Sequence, residues 1–97
     1  MSYGNNRVYF AHATHGGPIK MGATNDVATR IKSLGSCIPG GMEVIATIPG
    51  HFRREAYIKS ALSPWKLQGE WLKSCPAVWS VIIEIATTGD VSWAPVD

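Results

Sequence analysis

Short apolar runs rich in β-forming residues recur through the first half of the chain. They cover residues 7–13, 19–23 and 42–48, and glycines and prolines separate them. The pair Gly16-Gly17 lies between the first two runs, and glycine reaches positive φ without a Cβ clash. The pattern therefore predicts three strands, of which the first two should pair as an antiparallel hairpin.

A first helix is predicted after the hairpin, where apolar residues adopt helical spacing. Asn25 or Asp26 can cap its N-terminus, and Gly35 is placed where a left-handed residue would end it. Arg30 falls beside the apolar positions and is expected to point toward the sheet. A cation on that side of the helix indicates a specific role. The apolar positions at i, i+4 and i+7 are Val27, Ile31 and Leu34.

Two further helices are predicted in the second half of the chain. The earlier one covers residues 52–62 and is stopped by Pro64, and its inward face can be assigned in two ways. A loop over residues 63–73 follows. The last helix should start at Pro76, which suits a first helical position, and end at Gly89.

The predicted order of elements is strand, strand, helix, strand, helix, helix. This order indicates an α+β fold in which a small three-stranded antiparallel sheet is flanked by three helices. The 97 residues are enough for one domain, 1–97. Its core should span about residues 7–88, and the tail over residues 89–97 is expected to be loosely held.

Composition and charge narrow the classes of protein. Hydrophobic residues make up 45% of the chain and charged residues 16%, which is typical of a globular domain and not of a disordered chain. The net charge is only +2, and the chain has no polybasic tail. Any nucleic acid would therefore be held by a local basic patch, and its binding should depend on salt concentration.

The cysteines and the apolar windows bear on location. Cys37 and Cys75 are far apart without CxxC spacing or paired histidines, which argues against a structural zinc site and favours two free thiols. The N-terminal residues contain no apolar leader segment, and no window reaches the length of a membrane span. We expect a soluble cytoplasmic protein with no membrane partner.

Four polar residues could assemble one phosphate-cutting site: Tyr9, Lys20, Arg30 and Glu70. Hydrolysis of a phosphodiester needs an activated water, neutralisation of charge on the phosphoryl oxygens and stabilisation of the leaving oxygen. A phenol, two cations and a carboxylate offer all three. Tyr9 and Lys20 lie in the two strands of the predicted hairpin and Arg30 lies on the apolar side of the next helix, whereas Glu70 lies in the distant loop.

Motifs around these residues resemble those of the GIY-YIG nuclease superfamily, and more closely its T5orf172 or meiotically up-regulated gene 113 branch. The resemblance covers about residues 7–85. It departs in three places, since Arg7-Val8 replaces a leading Gly-Ile, Lys20 stands where many members have tyrosine, and Leu34 replaces a histidine. The motifs, in chain order, are Val8-Tyr9-Phe10, Ile19-Lys20-Met21-Gly22, Arg30 eight residues after Gly22, Pro49-Gly50, Glu55 and Gly69-Glu70-Trp71.

The resemblance implies roles for the four residues. Tyr9 would be the general base, and Lys20 would lower its pKa or take its proton. Arg30 would bind a phosphate through its planar guanidinium. Glu70 would be the single carboxylate that holds Mg²⁺ or Mn²⁺, together with water and phosphate oxygens.

Each role has a structural alternative. Tyr9 could be a half-buried strand tyrosine, and Lys20 a solvent-facing strand residue. Arg30 could form a salt bridge to Glu55 or Glu70. Glu70 could instead be an exposed loop acid.

A wider set of polar residues could support the site or contact DNA. Glu55 could orient Arg30 or Lys20, although a structural role is at least as reasonable. The basic residues around the second helix could contact the phosphate backbone, or they could form a solvated face. The histidines could touch DNA or lie in polar loops. This set comprises Glu55, His12, His51, Arg53, Arg54, Lys59 and Lys66.

Three functions from different classes are compatible with these residues. The resemblance favours a metal-dependent DNA endonuclease or nickase, which would need a homodimer or two encounters for a double-strand cut. A nucleic-acid-binding module with the same fold but little cutting is the alternative. A small interaction protein of a phage or mobile element, acting on a larger partner protein, is the third.

Overall fold

The structure is a computed structural model that describes residues 6–91 and residue 93. Four strands and three helices follow one another along the chain, with a 3₁₀ turn at Ser63–Trp65 between the second helix and the last strand. The elements are β1 (Arg7–Ala13), β2 (Ile19–Thr24), α1 (Val27–Gly35), β3 (Met42–Pro49), α2 (Phe52–Ala61), β4 (Trp71–Leu72) and α3 (Pro76–Thr88).

The sheet is antiparallel and has four strands in the order β3-β1-β2-β4. The predicted β1–β2 hairpin is confirmed, with Tyr9 opposite Gly22. The prediction of three strands was wrong, because β4 pairs with β2 through Ile19↔Leu72 and Lys20↔Trp71. A strand of two residues is too short to show an alternating pattern in the sequence.

Helices cover both sides of the sheet. Alternate β1 residues face opposite ways, so Val8 and Phe10 join one apolar cluster while Tyr9 and Ala11 join the other. On the first side the cluster is completed by α2 and α3 through residues such as Ile58 and Ile82. On the second side Tyr9 and Ala11 pack with α1 residue Ile31 and its apolar neighbours Val27, Leu34 and Met42.

At the two ends of α1, the predicted cap is present, but the glycine has a different role from the predicted one. Asp26 caps the helix, since its Oδ1 accepts a hydrogen bond from the Thr29 backbone N–H at 3.1 Å. Gly35, however, is the last residue of α1 and has no positive φ. A Cβ there would lie 2.8 Å from the Met42 backbone nitrogen, so glycine is needed for close approach to β3 rather than for a left-handed turn.

A buried arginine fixes the start of α2. Arg54 is 1% exposed. Its Nη1 donates to the Pro49 carbonyl oxygen at 2.6 Å, and its Nη2 donates to the Val91 carbonyl oxygen at 3.0 Å and pairs with the Asp90 carboxylate. Arg54 therefore joins the end of β3 to the segment after α3, and we call Arg54, Pro49, Asp90 and Val91 the arginine brace.

The remaining sequence expectations concern the thiols, the membrane and the tail. Cys37 is exposed, Cys75 is partly exposed, and both are free thiols. Within residues 6–91 and 93, no helix is long and apolar enough to cross a bilayer. Residues 92 and 94–97 of the predicted loose tail lie outside the described residues.

Candidate active site

The hairpin brings Tyr9 and Lys20 to the same side of the sheet. Tyr9 lies opposite Gly22, and Lys20 lies opposite Ala11. Side chains of paired residues share a face, and so do residues two apart in one strand. The Tyr9 ring lies across β2 so closely that a Cβ on residue 22 would be 2.6 Å from the Tyr9 hydroxyl. Gly22 is therefore a part of the site whose purpose the sequence did not reveal.

Tyr9 is a neutral phenol in the free protein. It is 1% exposed. Burial raises its pKa above the ordinary 10.0, the charge of Arg30 lowers it, and the charges of Glu70 and Glu55 raise it further. Arg30 is the cation whose charge lowers this pKa, whereas Lys20 is paired with Glu70, and the action of Lys20 on the phenol stays a prediction.

A chain of alternating charges runs beside Tyr9. Lys20 Nζ lies 3.1 Å from Glu70 Oε2, and Glu70 Oε1 lies 3.5 Å from Lys59 Nζ. Lys59 Nζ also lies 3.0 Å from Glu55 Oε2. We call Lys20, Glu70, Lys59 and Glu55 the charge chain. Its order places one ammonium group between two carboxylates.

The charge chain controls the ionisation of Glu70. Partial burial raises the pKa of this carboxyl, but the hydrogen bond from Lys20 and the charge of Lys59 outweigh burial, so the pKa lies below its ordinary value. Glu70 is consequently anionic at neutral pH. The loop acid is thus held against the β2 edge by side-chain contacts as well as by its backbone, since the Met21 N–H donates to the Glu70 carbonyl at 3.2 Å.

Arg30 differs from Lys20 and Lys59 in having no ion-pair partner among the described residues. Its side chain is exposed, and among residues 6–91 and 93 it has no hydrogen bond and no ion pair, so the predicted alternative of a salt bridge to Glu55 or Glu70 does not hold there. Ile31 is the buried residue of α1, and Arg30 beside it is exposed, yet its charge acts on Tyr9 in the sheet. Arg30 also lines a polar cleft.

Two residues of the wider set lie away from this constellation. Arg54 belongs to the arginine brace and is buried, which corrects the expectation that it contacts the phosphate backbone. His12 lies 2.9 Å from Glu43 Oε1 and meets the Trp79 ring of α3 edge-on, so it occupies the other side of the sheet. Both side chains are therefore engaged with other parts of the fold.

The rest of the wider set lies on or near α2. His51 is the N-cap residue of α2, and its ring packs on that of Phe52 with centroids 4.3 Å apart. Arg53 is exposed in the first turn of the helix. Lys66 lines a cleft together with Lys59 and Glu70. The structure therefore gives α2 a larger share of the site than the sequence suggested.

The donor set can be compared with what a divalent cation requires. Within residues 6–91 and 93, no group of three or more His, Cys, Asp or Glu side chains is close enough to hold a metal ion. Glu55 and Glu70 nevertheless converge on one positive charge, the Lys59 ammonium. Carboxylate oxygens suit Mg²⁺ and Mn²⁺, and Mg²⁺ commonly binds through one or two carboxylates with waters and phosphates. The residues fit such an ion, provided that Lys59 moves aside.

Comparison with known proteins gives one match. The family model described as the T5orf172 domain matches residues 6–87, a range that includes both the charge chain and Arg30. No curated protein and no solved structure matches the chain.

Proposed function

The chain belongs to the T5orf172 domain family, which is nuclease-like and DNA-binding, and from this premise we propose that it is a DNA endonuclease or nickase that hydrolyses phosphodiester bonds. The observation that carries the proposal is the guanidinium of Arg30, which has no partner within residues 6–91 and 93 and whose charge acts on the buried phenol of Tyr9. A cation without a counter-charge at the mouth of a site is suited to an anionic substrate group. An oxygen of a phosphodiester would accept the hydrogen bonds of the Arg30 guanidinium.

The side chains around Tyr9 divide the chemistry among them. Arg30 binds two oxygens of the phosphoryl group and stabilises the negative charge that grows there during attack. Tyr9 orients the attacking water through its hydroxyl and, as phenolate, accepts the proton of that water. Lys20 holds Glu70 in place and adds positive charge near the reacting phosphate.

Glu70, with Glu55 as a second carboxylate, would hold Mg²⁺ or Mn²⁺. When bound, the ion supplies a water of lowered pKa and neutralises phosphoryl charge. The Lys59 ammonium would have to move away when the ion binds, because it lies between the two carboxylates. The proposal thus changes the sequence interpretation, in which Glu70 was the single ligand and Glu55 only a supporting residue.

The direct test is cleavage of supercoiled plasmid with Mg²⁺ or Mn²⁺, followed on agarose gels. We expect the wild type to nick, and Arg30→Ala to lose about 10²- to 10³-fold of the rate, the usual effect of removing a group that stabilises transition-state charge. Glu70→Gln should lose activity as well. Lys32→Ala is the matched control, since Lys32 is an exposed cation in the same helix and should leave the rate unchanged.

An intact plasmid with every metal and salt concentration would refute cutting. The second candidate, a DNA-binding module with little cutting, is favoured by one observation, namely that Tyr9 is protonated and both carboxylates are paired with ammonium groups in the free protein. Gel shifts with duplex and branched DNA would then identify it, because binding would persist without nicking.

A further inference from the structure

Helix α2 presents one continuous face to two clefts. Phe52 lines the polar cleft that also contains Arg30. Lys59 lines the second cleft, which Trp71 also lines. The helix residues that line one or other cleft recur at i, i+4, i+7 and i+8, and therefore share a face of the helix. They are Phe52, Ala56, Lys59 and Ser60.

The candidate catalytic groups lie along this face. Arg30 lines the first cleft together with Phe52, and Glu70 lies beside Lys59 in the second. The face continues to Ser63 and Lys66, which also line the second cleft. At 1.5 Å per residue, α2 from Phe52 to Ala61 is about 14 Å long, which is room for a few nucleotides of one strand.

Phe52 is the most exposed large apolar side chain in the described part of the chain. Its exposed fraction is 65%, and the His51 ring packs against it at an interplanar angle of 59°. The neighbouring ring supports one side of the phenyl group and leaves the rest open. The cleft around it offers hydrogen-bonding side chains as well, among them Thr24 and Asn25.

We infer that this cleft binds one unpaired nucleotide, with its phosphate on Arg30 and its base stacked on Phe52. The inference rests on the proposed function and adds a substrate class, DNA with a single-stranded segment. A base inside a duplex is stacked on both faces and cannot lie on a phenyl ring, whereas an unpaired base can. An aromatic ring beside an unpartnered cation is the pairing that single-strand binders use.

The exposed aromatic residue Tyr57 shows why position matters. It lies on the same helix and is 49% exposed, but its ring approaches that of Trp93, with centroids 6.3 Å apart, and it lines neither of the two clefts. Tyr57 is therefore a matched control for Phe52, since both are exposed aromatics of α2 and only one faces the cleft.

The test measures binding by fluorescence anisotropy in EDTA, with a labelled single strand, the same strand containing abasic positions, and the matched duplex. We expect Phe52→Ala to weaken binding of the intact single strand about tenfold, in line with the loss of one base–aromatic stack. Phe52→Tyr should restore it and Tyr57→Ala should not change it. The abasic strand should bind wild type and Phe52→Ala equally, because without a base it cannot stack on residue 52 in either protein.

Two results would overturn the inference. One is equal binding of the intact strand by wild type and Phe52→Ala. The other is that Phe52→Ala weakens binding of the abasic strand as much as binding of the intact strand, which would show that Phe52 acts on something other than a base. Failure of the nuclease proposal is separate, because nicking requires metal and these measurements contain none. Circular dichroism spectra of the variants exclude unfolding as a cause.

Discussion

Arg54 and Arg30 are the same residue type in two regions that treat a guanidinium in opposite ways. Arg54 is buried in the arginine brace, where carbonyl oxygens of Pro49 and Val91 and the carboxylate of Asp90 accept its hydrogen bonds. Arg30 is exposed at the rim of the site and has no partner among the described residues. A buried charge needs hydrogen-bond or ion-pair partners within the protein, whereas an exposed cation is hydrated and can bind an external anion. Charge alone therefore says little about function.

The charge chain is intermediate between these extremes. Its members are paired with one another, as in the brace, but Glu70 and Lys59 remain partly exposed, with side-chain exposures of 47% and 31%. Pairs of this kind are weak because solvent screens them. They can consequently open when a phosphate or a cation enters, which the brace cannot do without unfolding its surroundings.

The largest expected effect is a difference in stability between variants of Arg54, in the arginine brace, and of Arg30, at the rim of the site. Arg54→Met should lower the free energy of unfolding by about 3 kcal/mol, because two backbone carbonyls lose a charged donor in a buried place. Arg30→Met should change it by less than about 0.5 kcal/mol, as expected for an exposed side chain. Urea denaturation followed by circular dichroism measures both. Similar losses for the two variants would contradict the contrast.

The second prediction concerns Tyr9, which is buried like Arg54 but lies at the site. Its pKa is raised above 10.0 by burial, so the phenolate fraction falls about tenfold for each pH unit below the pKa. The nicking rate should therefore rise about a hundredfold from pH 7 to pH 9. Tyr9→Phe should abolish this rise, and a wild-type rate that levels off below pH 8 would show that Tyr9 is not the base.

The smallest expected effect tests how easily the charge chain opens. Lys59→Met removes the ammonium group between Glu55 and Glu70, and we expect Tb³⁺, a probe for divalent sites, to bind about tenfold more tightly, a change of about 1.4 kcal/mol. Luminescence of Tb³⁺ sensitised by Trp71, which lines the same cleft, reports the binding. Lys66→Met is the control, and an equal gain there would indicate a general charge effect.

The local parts of the fold were predictable. The first two strands, the cap at Asp26, the start of α3 at Pro76 and its end at Gly89 depend on residues close in sequence, and the structure confirms them. Gly89 has φ 79°, the left-handed value that favours glycine. The resemblance to the T5orf172 domain was also confirmed, over residues 6–87.

Helix α2 was the least predictable element, and it carries much of the site. Only Arg54 and Ile58 are buried in it, so the sequence offered no clear apolar stripe and its inward face stayed ambiguous. One of its buried residues is an arginine, which no pattern of hydropathy would place inside. For the same reason Glu55 looked like a supporting residue, although its carboxylate lies beside Lys59.

The sequence by itself determined the hairpin, the order of the elements apart from β4, and the types of group that could act on a phosphate. Only the tertiary structure decided which of them meet. The two residues of β4 align on β2 and bring Glu70 to Lys20, and the arginine brace sets α2 so that Lys59 reaches Glu70. Both depend on contacts between residues far apart in the chain, and such contacts arise from packing and burial rather than from local propensity.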